Sequence, residues 1–195
     1  MMSKAMKIFA VAVLVLLTGM VFAVAQSENV KSLGKDAAEF KNDRVHAAVD
    51  WACITEHPNE KWAFLEVWIM PASRKPIGIR REDISLVLPN GMRLPLPGQK
   101  EVTSGLRDIR RVLATTIIPA ERTSGAFQPR RNTIRFGLHE ESSSLRLAFD
   151  AFSVDYESAA CGRILFENPQ GSWAAGEYRL EIKNGDVDIA IPFTI

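Results

Sequence analysis

Asp50 and Glu66 are the two residues whose type and setting are best suited to chemistry. Glu66 interrupts an otherwise apolar segment, with Phe64 and Trp68 on the same side of the predicted strand. If the preceding segment pairs with this strand as a hairpin, one register sets Asp50 directly opposite Glu66. Two carboxylates side by side in an aromatic setting share a proton, which is the starting point for acid–base or glycosidase chemistry.

A structural role for this acidic pair is the stronger interpretation. Like charges directly opposite each other on a sheet are unfavourable, so a different register is one alternative. The other is that Glu66 pairs with an arginine from the basic middle third of the chain. The sequence has no nucleophile elbow, no phosphate-binding glycine loop and no paired histidines. The three histidines, His46, His57 and His139, are too scattered in the sequence to suggest a metal site. The sequence therefore predicts no catalytic residue, no metal and no cofactor.

Arginines in the middle of the chain form the second candidate site. Residues 74–135 hold 13 basic and 5 acidic residues, a net charge of +8, whereas residues 136–195 hold 4 and 10, a net charge of −6. An anionic ligand or an acidic partner surface suits such a region. The alternative, and the more common role of a charge run, is a solvated helix face that pairs internally with the acidic C-terminal third. The arginines proposed to bind an anion or a partner are Arg107, Arg110 and Arg111 on a predicted helix, with Arg130 and Arg131 in the long polar loop Ala120–Asn132.

The two cysteines, Cys53 and Cys161, are far apart in the chain. An exported protein meets oxidising conditions, where an even count permits one disulfide, and we predict that these two residues are bonded. The alternative is two separate buried thiols, each acting as a small apolar side chain. Neither cysteine has the spacing of a zinc ligand.

Four tryptophans are candidates for stacking on a sugar ring. Trp51, Trp62 and Trp68 fall in predicted strands and are expected in the core. Trp173 lies in a loop beside Gly171 and is expected near the surface. A carbohydrate-binding module built on Trp173 is therefore an alternative function.

The first 25 residues have the layout of a cleavable signal peptide. Lys4 and Lys7 make a positive start, an apolar run covers residues 8–17, and Ala23 and Ala25 are small residues at the positions that a signal peptidase reads. Cleavage is predicted after Ala25, with a retained membrane anchor as the alternative. The mature chain is therefore expected to be periplasmic or extracellular.

Alternation of apolar and polar residues indicates a mainly β chain after the signal peptide. Residues 26–42 are interpreted as a polar leader, partly helical near Lys35–Phe40, and residues 43–195 as a single domain. Apolar residues spaced by three and four predict one helix over Val102–Leu113. Strands are predicted over Asp43–Thr55, Trp62–Met70, Ile77–Ile79, Ile84–Leu96 (a hairpin), Thr133–Leu138, Ser144–Phe149, Gly162–Phe166, Tyr178–Ile182 and Val187–Ile195.

Two Asn-Gly pairs predict tight hairpins. Asn90-Gly91 and Asn184-Gly185 each separate two arms with apolar alternation. This dipeptide favours the two-residue type I′ turn, because both residues tolerate positive φ. The return arm of the first hairpin contains Pro95, which has no N–H to donate, so this arm is expected at a sheet edge.

The order of these features resembles that of immunoglobulin domains. Cys53 falls in an early predicted strand, Trp62 and Trp68 follow shortly, and Cys161 falls in a late one. The resemblance is at fold level and implies an antiparallel immunoglobulin-like β-sandwich over about residues 43–195. The chain departs from the family at Ala159, where a tyrosine is expected two residues before the second cysteine, and in having a helix.

The sequence has the apolar pattern of a folded core but no recognisable catalytic motif. This combination favours a protein that acts by binding a partner. We predict a non-enzymatic, exported domain that binds another exported or cell-envelope protein through unpaired edge strands and the loop at residues 120–132. The alternatives are the carbohydrate-binding module and a hydrolase that uses Asp50 and Glu66. Nucleic acid is not expected as a partner of an exported chain whose net charge is +1.

Overall fold

A computed structural model describes residues 29–116, 123, 127, 132–141, 144–148 and 150–195. The predicted signal peptide, Arg130 and Arg131 lie outside these residues. Within them the chain is mainly β, with 13 strands in three sheets and few helices, which confirms the predicted fold class at this level. No helix of the described residues is long and apolar enough to cross a membrane.

The described strands form a seven-stranded sheet, a four-stranded sheet and a two-stranded ribbon. The seven-stranded sheet has the spatial order β1 (Val30–Ser32), β2 (Ala37–Lys41), β3 (Val45–Asp50), β4 (Trp62–Pro71), β11 (Ser158–Glu167), β8 (Asn132–Glu141) and β9 (Ser144–Ala148). The four-stranded sheet has the order β13 (Asp188–Thr194), β12 (Glu177–Lys183), β6 (Ile84–Val87) and β7 (Arg93–Pro95). The ribbon pairs β10 (Ala151–Val154) with β5 (Ile77–Arg80).

The helices of the described residues are short. They are α1 (Ala52–Glu56), α2 (Gln99–Ser104) and α3 (Leu106–Thr115), with one 3-10 turn at Arg81–Asp83. The apolar residues that predicted a helix do face inward, because Val102, Ile109 and Val112 are all buried.

One hydrophobic core joins the seven-stranded sheet to the four-stranded sheet and the ribbon. Alternate residues of each strand point into it, including Val49 of β3, Val67 of β4 and Leu86 of β6, which are all fully buried. The ribbon contributes Ile77 and Ile79, also buried, while Gly78 between them is exposed.

A smaller apolar cluster covers the opposite face of β3 and β4. Phe127 lies over this face, with its ring centroid 4.4 Å from that of His46 and 5.9 Å from that of Trp68. Thr123 is fully buried. These two residues place part of the long polar loop on the face of the sheet that also carries Glu66.

Two helix predictions need correction. Lys35–Phe40, predicted to be partly helical, lies largely in β2, where Ala38 and Phe40 are buried. The predicted helix Val102–Leu113 is divided between α2 and α3 at Gly105. A Cβ atom at Gly105 would lie 2.5 Å from the indole of Trp62, so the close approach of that ring accounts for the glycine.

The predicted strand over Asp43–Thr55 is also shorter than expected. β3 ends at Asp50, whose Oδ1 accepts a hydrogen bond from the backbone N–H of Ala52 at 2.8 Å. Trp51 then stacks on Phe193 with ring centroids 4.8 Å apart. The chain turns into α1 at this point, so Cys53 lies in a helix and not in a strand.

One strand pair contradicts the prediction of an entirely antiparallel fold. β8 and β11 pair in parallel, with Cys161 opposite Arg135. After β8, the chain runs back along β9 and then leaves the sheet to form β10 in the ribbon. It therefore re-enters the large sheet at the end where β8 began, as the bond from Asn132 N to Glu157 O shows, and β11 must run in the same direction as β8.

Both predicted hairpins are confirmed, but their turns are not the two-residue type I′. Leu88 N bonds to Met92 O at 2.8 Å and Gly91 N to Leu88 O at 2.9 Å, with φ of +82° at Gly91. This is a three-residue loop that ends in a left-handed glycine. In the second hairpin, the side chain of Asn184 accepts hydrogen bonds from the N–H groups of residues 186 and 187, and Gly185 does not adopt positive φ.

Candidate functional site

Asp50 and Glu66 are paired across β3 and β4, as predicted. Asp50 is fully buried, and its Oδ1 holds the start of α1 through Ala52 N. Glu66 Oε1 accepts hydrogen bonds from Trp68 Nε1 at 3.4 Å and Thr123 Oγ1 at 3.3 Å. The predicted register is confirmed, and both carboxylates have structural bonds.

Glu66 also has the arginine partner that was expected. Arg163 lies opposite it on β11, with Nε 4.0 Å from Glu66 Oε2, and its guanidinium lies 5.3 Å from the Phe64 ring centroid. The arginine comes from the C-terminal third, however, and not from the basic middle of the chain. Among the described residues, no three His, Cys, Asp or Glu side chains come together in a group that could hold a metal.

Of the five arginines predicted to bind an anion or a partner, the structure describes Arg107, Arg110 and Arg111. Arg111 forms ion pairs with acidic side chains of the same chain. Arg111 Nη2 lies 2.5 Å from Glu60 Oε2 and 3.4 Å from Asp108 Oδ1. The hydrogen bond to Glu60 raises the pKa of the Arg111 side chain. Arg107 is exposed and Arg110 is half-buried on the same helix. Arg111 is therefore paired within the chain, but with Glu60 and Asp108 and not with the acidic C-terminal third that was expected to supply its partners.

Trp173 is not at the surface, and that prediction was wrong. Its side chain is buried, its backbone N–H donates to Pro58 O, and its ring packs at a tilt against Tyr178 with centroids 6.3 Å apart. Trp51 and Trp62 are buried as predicted, whereas Trp68 is partly buried in the smaller apolar cluster. The apolar surroundings of Trp173 come from the Tyr178 strand, which its local loop sequence does not reveal.

The two cysteines are free and buried, which contradicts the predicted disulfide. The Cys53 Sγ accepts a hydrogen bond from Phe64 N at 3.4 Å, whereas Cys161 lies opposite Trp68. Phe64 and Trp68 are four residues apart on β4, a distance of about 13 Å at the rise of an extended strand. A disulfide needs Cα atoms within about 7 Å of each other, so the two thiols cannot bond in this fold.

Reduction with dithiothreitol is expected to leave the melting temperature unchanged. A disulfide that closed a loop of about 100 residues would contribute about 4–5 kcal/mol, and its loss would lower the melting temperature of a domain of this size by about 10 °C or more. Calorimetry with and without the reductant checks this, together with a thiol titration that should find two free thiols after unfolding. A drop of several degrees on reduction would contradict the arrangement.

Both thiols are also expected to be poor nucleophiles. Burial raises the pKa of Cys53 to about 11 and raises the pKa of Cys161 above its ordinary value. A thiol reacts as its thiolate, which such a rise makes scarce near pH 7. The cysteines therefore provide no candidate for nucleophilic catalysis.

The edges of the sheets reveal a feature that the sequence did not indicate. An edge strand exposes unpaired backbone groups to which another chain can bind, and proteins usually block it. On β9, the side chain of Gln99 performs this role: its Nε2 donates to Leu145 O at 3.1 Å, and its Oε1 accepts from Leu147 N at 2.9 Å. The side-chain amide thus occupies the place of a neighbouring strand.

Both edges of the four-stranded sheet carry a proline at an outward position. In antiparallel pairs, successive residues direct their backbone groups alternately toward the partner strand and away from it. Leu88 bonds to Met92, so by alternation Pro95 on β7 faces away from β6. Gly176 and Ile195 exchange backbone bonds, so Pro192 on β13 faces away from β12. Proline has no N–H there for an added strand to use.

The remaining edges are β1 and the two sides of the ribbon. β1 is only three residues long, which itself limits strand addition. On β5, Asn184 Nδ2 donates to Gly78 O at 2.8 Å, and Arg80 N donates to Asp83 Oδ2 at 2.8 Å. Side chains therefore occupy the free backbone groups of β5.

β10 has no such protection in the part of the chain that the structure describes. Gly78 and Arg80 face away from β10, and they lie directly opposite Ser153 and Ala151. By the alternation of the antiparallel pair, Ser153 and Ala151 must direct their N–H and C=O groups to the free edge. Both residues are exposed, and no described residue bonds to these groups.

The ribbon edge at β10 is therefore the candidate functional site. The sequence does not indicate this strand, because its four residues are too few for alternation to stand out and because Asp150 and Asp155 flank it as in a loop. A scan against protein-family models, a search of curated proteins and a search of solved structures each found no match.

Proposed function

We propose that the chain is an exported, non-enzymatic binding domain that recognises an extended segment of another exported or cell-envelope protein. The observation that carries this proposal is that, among residues 29–116, 132–141, 144–148 and 150–195, nothing covers the edge of β10, whereas the five other sheet edges are blocked or very short. In this mode, main-chain hydrogen bonds supply affinity, and the neighbouring side chains supply specificity. The small side chains of Ala151 and Ser153 leave room for an added strand.

The surroundings of the ribbon favour a polar partner segment. A groove crosses its solvent-facing side, bordered by Arg80, Asp83 and the turn at Asn184. Asp186 in that turn pairs with Lys75 at 3.3 Å and with Arg44 at 3.7 Å. Charges of both signs therefore lie along the groove on the solvent-facing side of the ribbon, and they are able to select the charge pattern of a partner segment that extends over it.

Export and the finer fold are part of the same proposal. The layout of the first 25 residues supports a signal peptide cleaved after Ala25. The shared core of the two larger sheets supports a sandwich, and the resemblance in sequence order supports an immunoglobulin-like one. The parallel pairing of β8 and β11 would be a departure from that family.

The two alternative functions have less support. The buried position of Trp173 removes the exposed ring on which the carbohydrate-binding alternative depended. The bonds of Asp50 and Glu66 to Ala52, Trp68 and Arg163 account for both carboxylates structurally. No observation on the described residues favours either alternative over strand addition.

The change Ser153→Pro is expected to reduce partner binding by about tenfold or more. It removes an outward N–H and adds a ring at the open edge, and losing one or two hydrogen bonds costs about 1–3 kcal/mol. The wild-type chain is used as bait in the exported fraction, captured proteins are quantified by mass spectrometry, and the affinity of the enriched protein is measured for each variant.

Thr194→Pro is the matched control. Thr194 also faces outward, on the β13 edge that Pro192 already blocks, so this variant should bind the partner as the wild type does. Thermal unfolding establishes that both variants are folded. Equal capture by the wild type and by Ser153→Pro would overturn strand addition at β10, and a measured turnover would overturn a purely binding role.

A further inference from the structure

The open edge of β10 lies in an acidic stretch of the chain. Residues 150–162 contain Asp150, Asp155 and Glu157 and no lysine or arginine, a net charge of −3. The facing segment, residues 77–83, holds two arginines and two acidic residues and so adds no net charge. Asp150 directly precedes the strand and Asp155 directly follows it, and both are exposed. A segment that adds to this edge therefore meets negative charge at both ends.

The Asp150 carboxylate is accessible although it has a basic neighbour. Its Oδ1 lies 3.8 Å from Arg81 Nη1, and its side chain is 92% exposed. Arg81 Nη2 also donates a hydrogen bond to Leu96 O at 2.9 Å. An ion pair as exposed as this one contributes little, so a second cation is able to approach Asp150 from the open side.

The side chain of Phe152 gives the edge an apolar element. Phe152 stacks on Phe136 with ring centroids 4.6 Å apart and lies opposite Ile79 of β5, but it is only partly buried. On the open side, no described strand supplies it with a cross-strand neighbour. A residue of an added strand opposite Phe152 shares its face, with the two Cβ atoms about 4.5–5.5 Å apart. An apolar side chain at this position packs against the exposed part of the ring.

Alternation fixes where the charges of an added strand must lie. Ala151 and Ser153 direct their backbone groups to the open edge, so each forms a hydrogen-bonded pair with a residue of that strand. The residue opposite Phe152 lies between these two pairs. The residues two positions before and after it fall beside Asp150 at one end and near Asp155 at the other, where a basic side chain faces a carboxylate.

We propose that the edge of β10 selects a cationic strand, in which an apolar residue has lysine or arginine two positions away on either side. This inference rests on the proposed function and names the chemistry of its partner segment. The two intervening residues face the solvent-side groove and are polar. Main-chain hydrogen bonds hold the strand, while Phe152 and the two aspartates determine which strand is held.

A second copy of the chain is a poorer occupant of this edge. An antiparallel pair of β10 strands centred on Phe152 would form the same backbone bonds, with Ala151 of each copy opposite Ser153 of the other. It would also bring Asp150 of one copy next to Asp155 of the other, and like charges on neighbouring strands are destabilising. The purified chain is therefore expected to be monomeric in sedimentation experiments.

The test is calorimetric titration of the purified chain with two capped peptides, Thr-Lys-Thr-Ile-Thr-Lys-Thr and the same sequence with glutamate in place of both lysines. The lysine peptide is expected to bind at least about tenfold more tightly, because the exchange replaces two favourable cross-strand charge pairs with two unfavourable ones. Replacing the central isoleucine with threonine should weaken binding severalfold, because the contact with Phe152 is lost.

Asp150→Lys should abolish the preference for the lysine peptide, because one of the two charge pairs is then reversed for each peptide. Glu177→Lys is the matched control, since it makes the same change in charge at an exposed acid at the end of β12 far from the Asn184 turn. It should keep the preference of the wild type. Thermal unfolding establishes that both variants are folded.

Three results would overturn the cationic partner while leaving strand addition in place. They are equal affinity for the two peptides, no binding of the lysine peptide at millimolar concentration, and an unchanged preference in Asp150→Lys. A dimer that forms through β10 would overturn it as well, by showing that a second copy occupies the edge. By contrast, a lysine peptide that bound Ser153→Pro as tightly as the wild type would overturn strand addition itself.

Discussion

Replacing Gly162 with alanine is expected to destabilise the protein by about 3 kcal/mol or more. Gly162 lies on β11 opposite Phe136 of the parallel neighbour β8, next to a shift in the pairing register. A Cβ atom there would lie 1.8 Å from the backbone oxygen of Phe136. No change of rotamer relieves a clash with backbone, so the alanine must push β8 away from β11.

Gly137 shows that the close approach is mutual. It has φ of +79°, and a Cβ atom there would lie 2.2 Å from the backbone oxygen of Arg163. The two glycines thus allow the strands to come together at the irregularity. The parallel pair joins the β8–β9 hairpin to the rest of the sheet, so loosening it should lower the free energy of unfolding of the whole domain.

Urea denaturation monitored by tryptophan fluorescence measures this change. Gly185→Ala is the matched control, because Gly185 has no positive φ and no atom lies within 4 Å of the position that a Cβ atom would take there. Its stability should stay within about 0.5 kcal/mol of the wild type. A Gly162→Ala variant with the wild-type midpoint would show that β8 and β11 do not pair as described.

Replacing Glu181 with glutamine is expected to destabilise the protein by about 1–2 kcal/mol at pH 7. The Glu181 side chain is only 2% exposed, and it lies 2.5 Å from Arg93 Nη1 and 2.8 Å from Arg179 Nε. Lys183 Nζ is 3.6 Å away. Glutamine keeps the size of the side chain but removes the counter-charge of Arg93 and Arg179, whereas Lys183 keeps Asp188 at 3.8 Å. Because these cations are about half exposed, the cost stays moderate.

The effect should depend on pH in a defined direction. Burial raises the pKa of Glu181, but hydrogen bonds from Arg93 and Arg179 outweigh it and hold the pKa below its ordinary value of 4.5. A group whose pKa is lower in the folded state stabilises the protein at pH values above its unfolded-state pKa. This stabilisation is lost as the pH falls through the folded-state pKa. The advantage of the wild type should therefore be full near pH 7 and disappear on acidification below about pH 4.5.

Thermal unfolding of both proteins across this pH range checks the prediction. Glu177→Gln serves as the control, because Glu177 is an exposed acid on the same strand. It should leave stability nearly unchanged at every pH. Equal stability of the wild type and Glu181→Gln at pH 7, or a difference that grows on acidification, would contradict the proposed charge cluster.

Strands with strong alternation were predictable from the sequence alone. The β12–β13 hairpin follows directly from the period of two, since each side chain reports the face on which it lies. β4 was predictable for a different reason, as a short apolar run that is buried on both faces and ends at a proline. The register of β3 against β4 was also predictable, because shifting it by one residue would turn Val49 and Val67 away from the core. This register is what placed Asp50 opposite Glu66.

Features that depend on distant segments were not predictable in the same way. The burial of Trp173 depends on Tyr178 and Pro58, and the separation of Cys53 from Cys161 depends on where α1 meets β4. The β5–β10 ribbon joins segments about 70 residues apart, which no local pattern specifies. Strand alternation is a property of neighbouring residues, and the sequence alone determined it.

Apart from the edge at Pro95 of β7, which the sequence already indicated, tertiary structure decided which edges are closed. Gln99 blocks β9, and Asn184 blocks β5, through side chains whose targets lie far away in the chain. A backbone group is free or bonded only with respect to its neighbours in space. The open edge at Ala151 and Ser153 therefore became visible only when all three sheets were assembled.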